Sequence, residues 1–451
     1  MSINIFAFVV VLGVLIFFHE LGHFLIARFF GVGVEKFSLG FGPRLFGKKI
    51  GITDYRISLI PLGGFVKMVG EEPDAEIDPA DIPISFTQKH VFKRILIVAA
   101  GPVFNILLAI AIFFCFYLIS GIEDVTPVVR SIETGGPAHN AGLKKNDLIL
   151  SIDNVRVDSW YDILKAVERS KERPLSLDFQ RGDSIFTAEV SPKISIGKDI
   201  FGDELEYYTL GISGFPEQEA IVGEVSEGFP AQKAGLKKGD KIVVINGKKV
   251  HSWNSMRKAI IDSEGHALKI TVLRGDSRFD VEITPTLKNA LGETEERYQI
   301  GISTAGVKIP DNDKFVKRLN PFAAFRESIA HTYNITKLTL IVVGKLIQGK
   351  VSAKTIGGPI MIAQMAGQQA REGVTNLAFF IALISINLAI LNFLPIPVLD
   401  GGHLLFFSIE AVLGRPVNIK VREIAQQAGI FVLILLMIYV FYNDIVRIIP
   451  K

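Results

Sequence analysis

Phe18-His19-Glu20-Leu21-Gly22-His23 decides how the rest of this chain is read, because it sets an H-E-x-x-H pattern inside an apolar stretch running from Ile3 to Phe30. Two histidines four residues apart share one face of a helix, where both imidazoles reach a single zinc ion and the intervening glutamate lies within range of a water at that ion. The stretch is apolar apart from the motif and Arg28, and at about 1.5 Å per residue it is long enough to span a bilayer. Histidines and a carboxylate are costly at membrane depth, so an ionisable cluster there points to function. No basic residue precedes the stretch and no small-residue cleavage site follows it, so it reads as a retained transmembrane helix rather than a signal peptide.

A catalytic zinc takes three protein ligands and keeps one position open. The segment Asn387 to Gly402, NLAILNFLPIPVLDGG, supplies a candidate: Asp400 is its only acid and closes an apolar run shaped by two prolines and two glycines. Spacing alone also fits an aspartate in an ordinary interfacial turn.

Taken together, His19-Glu20-Leu21-Gly22-His23 and Asn392-Phe393-Leu394-Pro395-Ile396-Pro397-Val398-Leu399-Asp400-Gly401 resemble the two signature motifs of the site-two protease family. Two PDZ-like units between them narrow the likeness to its bacterial regulator-of-sigma-E type, and the resemblance runs over nearly the whole chain. It implies an intramembrane zinc endopeptidase, with one Zn2+ per chain, that cuts transmembrane segments of single-pass proteins. The implied substrates are a trimmed anti-sigma factor in an envelope stress response and remnant signal peptides. His19, His23 and Asp400 are the implied ligands and Glu20 the implied general base. Asn392, with Asn387, is implied to bind the substrate backbone or the developing oxyanion, although the same amides also suit helix-end carbonyls near Pro395.

Composition agrees with a membrane protein that carries soluble modules: 49% of residues are hydrophobic, yet 21% are charged. A net charge of +3 gives no indication of a nucleic-acid partner. The single cysteine, Cys115, excludes an internal disulfide. Ten basic residues from Arg28 to Arg94 place that loop in the cytoplasm by the positive-inside rule. Within it, Val32 to Phe41 and Tyr55 to Met68 read as hairpin strands. In the family such strands re-enter the membrane beside the zinc, where an exposed edge suits an unwound substrate as an added strand; a cytoplasmic surface hairpin fits the sequence equally. The acidic stretch Glu71 to Pro83 reads as a solvated connector. Ile95 to Ile119 is a second span, with Gly101-Pro102 expected to kink it and Asn105 expected to face the protein interior, without a chemical role.

An internal repeat fills the middle of the chain. Gly136 to Trp160 matches Phe229 to Trp253 at an offset of 93 residues, and Arg181-Gly182-Asp183 matches Arg274-Gly275-Asp276 at the same offset. The RGD tripeptides read as hairpin turns. The element order of each copy resembles a circularly permuted PDZ domain, which implies a peptide groove beside Gly211 and Ile212 in the first copy and beside Gly301 and Ile302 in the second. Pro321 to Gln348 reads as an amphipathic helix at the membrane surface. The last two spans are about 376–394 and 428–446. His19 lies fifteen residues past Asn4, and Asn392 sixteen past Asn376, so both sit roughly 22–24 Å into a core of about 30 Å and the motifs are able to meet.

The expected fold is therefore a multi-pass α-helical membrane protein with four transmembrane helices, re-entrant β-hairpin strands and two inserted α+β PDZ domains. Its expected parts are residues 1–122 (first half of the protease core, spans about 3–30 and 95–119, strands about 32–68), 123–217 and 218–309 (the PDZ domains), 310–375 (surface helix and connector) and 376–451 (second half of the core). Expected partners are single-pass membrane proteins and the lipid bilayer. The expected location is the bacterial inner membrane, with the PDZ domains on the periplasmic side and the active site toward the cytoplasmic side. Two other classes stand beside this reading: a catalytically inactive PDZ scaffold, opposed by the complete metal motif, and a metal transporter, opposed by the lack of an inverted membrane repeat.

Overall fold

The computed structural model describes residues 2–71, 78–198, 203–289, 296–307, 309–353 and 356–448. Residues 72–77 of the stretch read as an acidic connector lie outside these. The chain divides into two compact units, Met1–Gly121 with Arg318–Lys451, and Ile122–Lys317.

The first unit opens with helix α1 (Ser2–Phe29), whose Ala7, Val11 and Leu15 recur every fourth residue and are buried on one face. Two long strands follow, β1 (Val34–Ile50) and β2 (Thr53–Met68). Each strand is used twice: Lys36 lies opposite both Lys67 and Asp54, and Leu39 opposite both Gly64 and Ile57, while residues 44–50 pair with 53–58. The resulting order of segments is 64–68, 34–39, 53–58, 44–50, which leaves 64–68 as an edge. Helix α2 (Val91–Ser120) runs unbroken through Pro102 and buries Ile97, Gly101, Asn105, Leu108 and Ala109 along one stripe.

In the second unit each repeat copy has the same build. The first holds the short helix α3 (Pro137–Asn140), helix α4 (Trp160–Ser170) and a four-stranded sheet centred on Leu148–Ile152 and Leu175–Arg181; the second holds α5 (Pro230–Lys233), α6 (Trp253–Ile261) and a sheet centred on Lys241–Ile245 and Leu268–Arg274. Ser159 and Ser252 cap α4 and α6, their hydroxyl oxygens accepting hydrogen bonds from the amides three residues on. The arginine of each RGD tripeptide turns back onto a buried aspartate: Arg181 grips Asp147 at 2.8 and 2.7 Å, and Arg274 grips Asp240 at 2.7 and 2.8 Å. The tripeptides are hairpin turns whose arginine is a strut of the fold, which explains why a 93-residue offset preserves it. Lys314–Lys317 pairs with Ile122–Val125, so this unit runs on past residue 309.

The chain then returns to the first unit as α7 (Pro321–Ile347), α8 (Pro359–Glu372), α9 (Val374–Phe393), α10 (Asp400–Leu413) and α11 (Ile419–Ile448). The part of the chain expected to be a connector thus contains a helix, α8. Asp444 of α11 caps it, accepting hydrogen bonds from the amides of Gly358, Ile360 and Met361 at 2.9, 3.0 and 3.0 Å. Stretches within α1, α2, α9 and α11 are long and apolar enough to cross a membrane. Along α11, Ile430, Phe431, Val432, Ile434 and Leu435 are all exposed, a pattern suited to lipid and not to water.

Candidate metal centre

The H-E-x-x-H register puts His19 and His23 on the face of α1 that meets α2. The two helices approach closely there because glycines face each other's backbone and rings: a Cβ on Gly22 would lie 2.3 Å from the Ala100 carbonyl oxygen, and one on Gly101 would lie 2.3 Å from His23 Nε2. Asp400 arrives from the other end of the chain as the first residue of α10. Its position depends on the two glycines that follow it, since a Cβ on Gly401 would fall 2.1 Å from the Leu394 carbonyl oxygen and one on Gly402 would fall 2.4 Å from that of Ile396. The first turn of a helix also favours a carboxylate electrostatically. Arg94 of α2 anchors α10 further along through a two-pronged contact with Glu410, at 2.5 and 3.3 Å.

These constraints converge three side chains from two distant stretches. His19 Nε2 lies 3.2 Å from Asp400 Oδ2, His23 Nε2 lies 3.6 Å from Asp400 Oδ1, and the two Nε2 atoms are 3.3 Å apart. One donor atom from each residue falls within 4.8 Å of the others. Their side chains are 12%, 10% and 20% exposed, so the cluster is nearly closed to solvent. His23 Nδ1 donates to the Ile97 carbonyl at 2.9 Å, which leaves Nε2 with the lone pair that a metal needs. Two imidazole nitrogens and one carboxylate oxygen are the donor set of a catalytic zinc, and the residues present fit that ion.

The cluster opens on a cavity of about 230 Å³. Glu20 lines it together with Gly64, Phe65 and Val66, so the edge segment of β2 borders the same space as the carboxylate. His403 and Arg422 also line it, and sequence reasoning had singled out neither. Asn387 and Asn392 sit in the last turns of α9 and are not among the lining residues; the Asn387 amide oxygen accepts a hydrogen bond from Thr339 of α7 at 3.2 Å. Gly211 and Ile212, and Gly301 and Ile302, lie in the second unit. Ile212 pairs with Ile132, and Ile302 with Val225, each in a two-stranded ladder.

The profile of peptidase family M50 matches residues 7–436. This chain belongs to that family. It is 36% identical over 449 residues to Protease RseP of Yersinia pestis, with 98% of each chain covered. It is likewise 36% identical over 455 residues to the regulator of sigma-E protease RseP of Escherichia coli K12, again covering 98% of both. A solved PDZ domain of an SdrC-like protein from Listeria monocytogenes aligns with 20% of this chain and 86% of that one, at 22% identity and a TM-score of 0.16. The chain is a zinc metalloprotease of the membrane, and the donor cluster lies among its apolar helices as an M50 intramembrane protease requires.

Proposed function

We propose that His19, His23 and Asp400 hold the catalytic zinc, that Glu20 is the general base, and that the enzyme hydrolyses peptide bonds within the transmembrane segments of single-pass proteins. The observation that carries this is the meeting of three donor atoms within 4.8 Å from motifs nearly 380 residues apart in sequence. When bound, zinc supplies a Lewis acid that polarises a carbonyl and brings the pKa of water toward about 7. The Glu20 carboxylate takes a proton from the attacking water and delivers it to the leaving amine. A transmembrane helix hides its amides in its own hydrogen bonds, so the substrate unwinds before attack. The edge at 64–68 then offers the freed amides new partners by strand addition, beside Glu20. Asn392, with Asn387, supplies amide donors to the substrate backbone.

Relatives named as a regulator of sigma-E protease favour an anti-sigma factor as the substrate, which in this reading arrives already trimmed, in an envelope stress response at the inner membrane. In this reading residues 123–217 and 218–309 are two PDZ domains on the periplasmic side that limit which substrates enter. The test is zinc content and fragment release for two variants: Glu20→Gln keeps zinc and loses cleavage, whereas His23→Ala loses both. Equal zinc loss in the two variants, or native cleavage by Glu20→Gln, refutes the assignment.

A further inference from the structure

Three residues at four-residue spacing on α2 face the two ligand imidazoles. Ile97 presents a carbonyl to His23 Nδ1, Gly101 presents the bare backbone on which both rings rest, and Asn105 presents its carboxamide to His19 Nδ1 at 3.3 Å. Asn105 is fully buried. Its backbone carbonyl accepts a hydrogen bond from Ser385 of α9 at 2.8 Å, which fixes this turn of α2 against the helix leading to Asp400. The amide stands with Nδ2 toward the ring and with a buried Oδ1 that has no partner.

An amide's two ends have nearly the same shape, and the hydrogen-bond network decides between them. As Asn105 stands its Oδ1 is unpaired, so the imidazole is decisive. His19 Nε2 faces Asp400 and His23 and must offer its lone pair if it is to hold a metal, which puts the ring proton on Nδ1. Of the two ends of Asn105 only the carbonyl accepts that proton, beside the Gly101 backbone that also faces the ring. We infer that Asn105 is a positioning residue of the metal centre: turned by a half rotation about its last torsion, its Oδ1 accepts from His19 Nδ1 as the Ile97 carbonyl accepts from His23. Helix α2 then supplies the outer partner of both histidine ligands, one from its backbone and one from a side chain. This rests on the zinc reading above and adds the residue that orients one of its ligands.

The test compares zinc retention of the purified native chain with Asn105→Leu, which keeps the shape and removes the acceptor, and Asn105→Asp, which keeps an acceptor. Each is titrated with a zinc chelator, and the unfolding of the metal-free forms is recorded alongside. Asn105→Leu is expected to bind zinc about 10–100-fold more weakly, while Asn105→Asp binds as tightly as the native chain or more so. Native affinity in Asn105→Leu, or equal loss in both variants, overturns the inference. If Asn105→Leu fails to fold, Asn105→Asp decides alone: native retention supports an acceptor role, and a tenfold loss overturns it. A native chain that binds no zinc overturns the zinc reading itself, an outcome separate from native binding that is indifferent to residue 105.

Discussion

Gly101→Ala probes the site without removing a single polar group. The added carbon would lie 2.3 Å from His23 Nε2, 2.6 Å from His23 Cε1 and 2.8 Å from His19 Cε1, where ordinary van der Waals contact begins at 3.4 Å. The His23 ring must therefore retreat by about 1 Å, several times the roughly 0.2 Å that zinc–ligand distances tolerate. His23 cannot retreat freely, because Nδ1 is tied to the Ile97 carbonyl one turn away on the same helix. Zinc affinity is expected to fall about 10–100-fold, and cleavage at saturating zinc about 100-fold, as for other 1 Å misplacements of reacting groups. The helix itself is not harmed, since alanine in place of glycine favours a helix by about 1 kcal/mol. Gly13→Ala is the matched control, because nothing lies within 4 Å of its added carbon. The assay is chelator competition followed by substrate cleavage in the same micelles. Native zinc affinity and native turnover in folded Gly101→Ala would refute the claim that α2 seats the ligand rings.

Asp444→Ala strips three amides of α8 of their acceptor and should cost about 2 kcal/mol, read as a lower unfolding midpoint in detergent with zinc affinity retained. In the second unit the Asp240 carboxyl is held below its ordinary value: burial pushes it up, but the Arg274 hydrogen bonds and the Lys237 amide outweigh burial. A depressed folded-state pKa gives stability that is present above the ordinary carboxylate range and is lost as pH falls through it. The stability gap between the native chain and Arg274→Ala should thus be full at neutral pH and shrink as pH falls below about 5, the loss continuing below the ordinary carboxylate value toward the lowered folded one. Intrinsic fluorescence reports it, because the chain's two tryptophans, Trp160 and Trp253, both lie in this unit; a gap that widens on acidification contradicts the pairing. For topology, single cysteines at Arg156 and Lys48 in a Cys115→Ala background should react differently with an impermeant reagent. Position 156 is expected to label from outside and position 48 only after the cytoplasmic membrane is opened, and the reverse pattern would invert the proposed orientation.

What could be read from the sequence followed local rules. The helical register of His19 and His23 is a four-residue matter, and depth counted in helical rise puts Asn392, at the head of the motif that ends in Asp400, at the level of His19. The repeat was legible because Asp147 with Arg181 and Asp240 with Arg274 keep both identity and spacing. Features set by distant neighbours were not legible. The double use of β1 and β2 depends on pairings that a simple hairpin pattern does not encode. Helix α8 rests on an acid some 85 residues downstream, and α10 begins at Asp-Gly-Gly, where helix propensity argues against starting. Gly101 read as part of a kink with Pro102, but its missing side chain is what lets the two imidazoles lie against α2. Asn105 read as an interior amide, and only the packing of α1 on α2 shows which ring it meets.

The central claim is that one zinc held by His19, His23 and Asp400 cuts a peptide bond inside a membrane-spanning segment, with Glu20 as the base. Its most direct test is mass analysis of the fragments formed when the purified zinc-loaded chain meets a purified single-pass substrate in lipid, with Glu20→Gln alongside. The native chain is expected to make one cut within the apolar segment, and zinc-loaded Glu20→Gln none. Cleavage confined to the substrate's soluble parts, or an intramembrane cut that persists in Glu20→Gln, would contradict it.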